Sequence, residues 1–248
     1  MMEVTVGDQY ETIQETLDAI PYEQEAVVHV PMGVWHEKLS SRHKSLTLIG
    51  EGEDKTSLIY EDASLDDPRS SASARFSGEK LVLKELNVSN YAGWGPKVGS
   101  AVALLLDVDE ARLSHVHVNS FRHTLWVEKG SLFLEHSRIS GDESFIATSG
   151  SVFLHNCRIE SVHPGRVCDV TGSGSVVFHM CEFVPSVACS PEGPVALANP
   201  SGGVTTISCR MGSHIVTRDL VCWKHYQPGG RDNTLNEREV MALLGRLR

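Results

Sequence analysis

A short phrase recurs along this chain and limits what it can fold into. It reads LVLKELNVSN from Leu81, ARLSHVHVNS from Ala111, LFLEHSRISG from Leu132, VFLHNCRIES from Val152 and VVFHMCEFVP from Val176. Each copy sets apolar residues on both sides of a two-residue polar step and ends near a small or turn-forming residue. The copies start 20 to 30 residues apart, the period at which a chain winds into stacked coils, each buried only by its neighbours. The strands are rich in Val, Leu, Ile and Phe, and no amphipathic helix separates them, so the pattern predicts an all-β solenoid: a single right-handed parallel β-helix over residues 1–248. Further rungs are expected at VVHVPMG from Val27, SLTLIGEG from Ser45 and TTISCRMG from Thr205, where the cysteine comes one residue early.

Aligning the phrases stacks Leu86, Val116, Ser137, Cys157 and Cys181 at one position, which reads as an interior ladder of small hydrophobes. The position before it stacks Glu85, His115, His136, Asn156 and Met180 at a turn between faces. His115 and His117 share a strand face, but no carboxylate or thiolate completes a ligand set, so neither a metal nor another cofactor is expected. The six cysteines, among them Cys189, Cys209 and Cys222, show no CxxC spacing and read as reduced thiols.

A solenoid exposes its core at both ends unless it is capped. Asp8 with Glu11 has the spacing of a capping box, and Ile13, Leu17 and Ile20 then fall on one face, predicting a helix over 8–20. Thr234 with Glu237, followed by Val240, Leu243, Leu244 and Leu247, predicts a second over 234–248. This second helix, or an exposed patch, is a candidate for self-association.

The formal charge of −10 disfavours nucleic acid and anionic membrane surfaces, which recruit clustered Lys and Arg. The apolar run Ala101 to Leu106 is far too short to span a bilayer, which takes roughly 20 residues. The opening Met-Met-Glu-Val-Thr-Val lacks a basic and then apolar leader, so the expected location is cytoplasmic.

Read in order, YETIQETLDAIP, VPMGVWHEKL and SLTLIGEGEDKTSL resemble the N-terminal stretch of the pectin methylesterases, or pectinesterases, in wording and spacing. SAVALLLDVDEARLSHVHVNSFRHTLWV, RISGDESFIATSG and LANPSGGVTTISCRMGSHIVTRDLVCW are similar to later segments of that family. The resemblance implies a pectin lyase-like β-helix. It also implies a site in which two aspartates, a glutamine and an arginine hydrolyse methyl esters of galacturonan. Carried over position by position, the nucleophile falls on Ser144, the acid/base on His123, the glutamine on Ser100 and the arginine on Asn199, so all four differ. A further family glutamine becomes Arg122 and a tryptophan becomes Ser201.

A serine does not replace a carboxylate nucleophile without a base, so the expectation is a homologue that has lost the family activity. It would bind carbohydrate, or act as a scaffold, in a groove lined by Tyr91, Trp94, Trp126, Phe145 and Arg122. Trp35 and Trp223 read as structural. The alternative is a rewired esterase or deacetylase, with Ser144 paired to His123, Asp142 orienting the imidazole and Asn199 donating to an oxyanion.

Overall fold

The computed structural model describes residues 1–93, 95, 97–187, 193–198 and 203–216. The expected 234–248 helix, with Cys189 and Cys222, lies outside them. Within the described residues the strands join into one continuous sheet, and every strand-to-strand pairing is parallel. The sheet coils, so each turn of chain contributes to three faces, and the fold is a parallel β-helix.

The recurring phrase builds two of those faces and the corner between them. On the first face, Leu81, Ala111, Leu132, Val152 and Val176 stack in register, followed two residues later by Leu83, Leu113, Leu134, Leu154 and Phe178. All ten are buried, because alternate residues of a strand point to one side. The chain then turns through a residue with positive φ: Glu85, His115, His136, Asn156, Met180 and Ser208 all lie between 47° and 55°. The next residue re-enters the core, so Leu86, Val116, Ser137, Cys157 and Cys181 line the interior as the alignment predicts. Ser137 is the polar member, and its hydroxyl donates to the Glu135 carbonyl at 2.7 Å and accepts from the Val116 amide at 3.0 Å.

The rung near Thr205 corrects the sequence reading. Val204 pairs with Val176 and Ile207 with His179, so the repeat begins one residue earlier, and Ser208 and Cys209 keep the register of Met180 and Cys181. The cysteine is not early. The described cysteines are free thiols; burial pushes the Cys168 thiol up, and hydrogen bonding from Cys157 with burial pushes Cys181 up to about 12. Such thiols are poor nucleophiles.

The N-terminal cap is also shorter than expected. The helix runs Ile13–Asp18, and the capping box is formed by Thr12 and Glu15, not by Asp8 and Glu11. The same spacing occurs twice in succession, and the second copy directly precedes Ile13 and Leu17, whose burial docks the helix on the first coils. Glu37, from the coil below, accepts from the Ile13 and Gln14 amides at 3.0 and 2.9 Å, satisfying donors that the helix start leaves open. Trp35 is structural, half-buried against the core with its indole N–H on the Pro31 carbonyl. Among the described residues no helix is long and apolar enough to cross a membrane.

Candidate functional site

The corner between the second and third faces breaks the repeat. Here the strand Arg138–Thr148 passes from pairing with 117–119 to pairing with 125–127, and its register against the next coil shifts on either side of Glu143. Two non-glycine residues in adjacent coils take positive φ at this corner, His123 at 58° and Ser144 at 50°. Positive φ is uncommon outside glycine, and histidine tolerates it better than most. Gly141 makes the corner possible: a Cβ there would lie 2.3 Å from the Phe145 Cβ and 2.7 Å from the Thr124 hydroxyl.

His123 is not bonded to Ser144. Its Nδ1 lies 2.8 Å from the Ser100 hydroxyl, while the Ser144 hydroxyl donates to the Glu143 carboxylate at 3.2 Å. The ring also meets Trp126 edge-on, centroids 5.2 Å apart. Burial, with Arg122 alongside, lowers the His123 pKa to about 4, so the imidazole is neutral at pH 7. The Asp142 carboxylate is buried, accepts from the Glu143 amide and lies 3.8 Å from Nδ1 of His163 in the next coil. It therefore faces His163, not His123, because the register shift at Glu143 breaks strict strand alternation.

Two loops bring Ser100 to this corner. Asn90 is fully buried and holds them: its amide nitrogen reaches the carbonyls of Asp62, Ser71 and Val102, each at 2.9 Å. Beneath, Leu105 packs with Ala72 and Val102 on the outer side of the third face, with Trp126 against them. Trp126 is fixed by its indole N–H on Glu128 at 2.8 Å and by the Arg69 guanidinium 5.9 Å from its ring.

Of the expected groove residues, Trp126 is half-buried, and Arg122 and Tyr91 are exposed, Tyr91 by 50%. Phe145 is not in a groove at all. It is wholly buried in the main core, because the positive φ at Ser144 turns the following side chain inward, as happens at the other left-handed corner. Trp94, Asn199 and Ser201 lie outside the described residues. Sequence reasoning passed over Glu143 and Arg166. The backbone sets Arg122, Glu143 and Arg166 side by side in successive coils, which the shifted register hides from any alignment of phrases. Among the described residues no group of three His, Cys, Asp or Glu side chains is placed to hold a metal ion.

Comparison with known proteins agrees with this architecture. A pectinesterase of Petunia integrifolia is 29% identical over 212 residues, covering 77% of this chain and 56% of the relative. The chain thus spans about half the length of that protein. A pectin methylesterase from carrot superposes with a TM-score of 0.77 at 18% identity, covering 90% of this chain and 77% of the other. A pectin methylesterase crystallised with a hexasaccharide gives 0.77 at 18% identity, covering 96% and 94%. The pectinesterase family itself matches residues 4–176; with the coiled parallel sheet and the singular corner beside Trp126, this chain belongs to the pectinesterase family.

Proposed function

We propose that this protein binds a carbohydrate chain across the outer side of the third face, without the ester hydrolysis of its family. The observation that carries this reading is the state of the two positions where the resemblance puts carboxylates. One is a neutral imidazole held by Ser100, and the other is a hydroxyl held by Glu143. Neither supplies a carboxylate nucleophile. What remains is a fixed aromatic, Trp126, with the Arg69 guanidinium against its ring and the exposed Arg122 next in the chain to His123, and an aromatic with guanidinium donors suits a sugar bearing hydroxyls or carboxylates. The structural relative bound to a hexasaccharide supports the same ligand class.

A second reading has one observation in its favour. The Ser100 hydroxyl at 2.8 Å from an unprotonated imidazole is a serine–histidine pair, although not the Ser144–His123 pair that the sequence suggests. Titrating the protein with galacturonan oligosaccharides of defined methylation, while measuring methanol and acetate release, separates the two. Binding without release, weakened roughly tenfold by Trp126→Ala at about 1.4 kcal/mol, supports the first. Release abolished by Ser100→Ala, and spared by Ser144→Ala, replaces it with the second.

A further inference from the structure

On the first face, the outward positions of three consecutive coils carry Glu135, His155 and His179 in strict register. The rings of His155 and His179 stack, with centroids 5.0 Å apart and planes 26° apart. Their Nδ1 atoms lie 3.0 Å from each other. Both side chains are half-exposed. Burial lowers both pKa values, with His136 adding to it for His155 and His155 for His179.

Two nitrogens bound to one cation at about 2.1 Å, and at a right angle, lie about 3.0 Å apart; a tetrahedral angle would open them to about 3.4 Å. The observed separation of 3.0 Å matches the first. We propose that His155 and His179 form a chelating site for a divalent late transition cation, with Cu²⁺ and Ni²⁺ favoured over Zn²⁺ by the near right angle. In the free protein the contact is a hydrogen bond from one Nδ1–H to the other Nδ1, so binding requires the donor ring to carry its proton on Nε2, which frees both Nδ1 lone pairs for the ion. Among the described residues no third His, Cys, Asp or Glu converges on the same point, so water completes the coordination, and Glu135 is the carboxylate that the ladder sets beside His155. The adjacent His136 is engaged elsewhere, its Nδ1 2.8 Å from the Asn156 amide nitrogen. Cys157 and Cys181, one residue past the same corner, point into the core and offer no competing thiolate. A bound ion would staple two successive coils.

Calorimetric titration of the full chain with CuCl₂, NiCl₂ and ZnCl₂ at pH 7.4 tests the site. The comparison set is His155→Gln, His179→Gln and a control, His36→Gln, whose imidazole pairs with Glu61 on a different face. One equivalent should bind, with at least tenfold weaker affinity in either of the first two variants and no change in the control. Stoichiometric binding that survives both changes, or no saturable binding to the wild type, overturns the proposal. Should a glutamine variant fail to fold, the Cu²⁺ electron paramagnetic resonance spectrum of the wild type decides instead. Coupling to two imidazole nitrogens supports the site, and its absence overturns it.

Discussion

The β-helix has two kinds of left-handed corner, and they behave differently. The corner after the first face recurs six times among the described residues, at Glu85, His115, His136, Asn156, Met180 and Ser208. Its occupants vary in type, and where they interact it is with one another along the ladder, Glu85 lying 3.5 Å from His115 and Asn156 2.8 Å from His136, while Met180 is 54% exposed. The corner before the third face takes positive φ twice, at His123 and Ser144, and there the side chains are committed: Ser144 is 5% exposed and His123 is bonded to Ser100. A strained conformation repeated in six successive coils belongs to the architecture. One that occurs in two coils, under loops pinned by a buried asparagine, marks a site.

The widest separation should come from the residue behind the singular corner set against an occupant of the repeated one. Phe145→Ala, beneath the singular corner, should cost about 3–5 kcal/mol because it empties a fully packed position. Met180→Ala, on the repeated corner, should stay within about 0.5 kcal/mol. Urea denaturation of both measures the contrast, and a Phe145→Ala cost near that of Met180→Ala would return Phe145 to the groove.

Acid should sharpen the contrast next. The lowered pKa of His123 means that the unfolded chain binds its proton first as pH falls. Its contribution is complete above about pH 6.5 and is lost progressively down to about pH 4. The loss is up to about 3 kcal/mol. His117, lowered to about 4 by burial and Arg138, adds to the same window. His123→Gln should flatten the stability profile between those limits, and an unaltered profile in that variant would remove the burial argument.

The smallest effect concerns the backbone itself. Replacing Met180 by glycine relieves a left-handed residue at little other loss, and should raise stability by up to about 1 kcal/mol. Ser144→Gly relieves the same φ but gives up the bond to Glu143, so no gain is expected there. Melting temperatures of the pair check this, and equal gains would mean that the Ser144 hydroxyl contributes nothing.

The first kind of corner was legible from the amino-acid order, because each phrase repeats it and burial follows from strand alternation. Stacking Leu86, Val116, Ser137, Cys157 and Cys181 needed no coordinates. The second was located by family resemblance but misread in its contacts: Ser144 pairs with Glu143 and not with His123, Asp142 turns to His163, and Phe145 points inward. The reason is local, since the register slips on both sides of Glu143 and alternation, the rule that any sequence reading must use, fails at that point.

The sequence by itself determined that this chain must coil into stacked parallel rungs, with a capped first turn and a core of aliphatic and thiol ladders, since only that arrangement buries so short a repeat. Tertiary structure alone decided which side chains meet across coils. Ser100 with His123, Asn90 with three loop carbonyls, and His155 with His179 are each separated by more than ten residues and joined only by the winding of the helix. Contacts between rungs depend on register, and register is a property of the folded stack, not of any one strand.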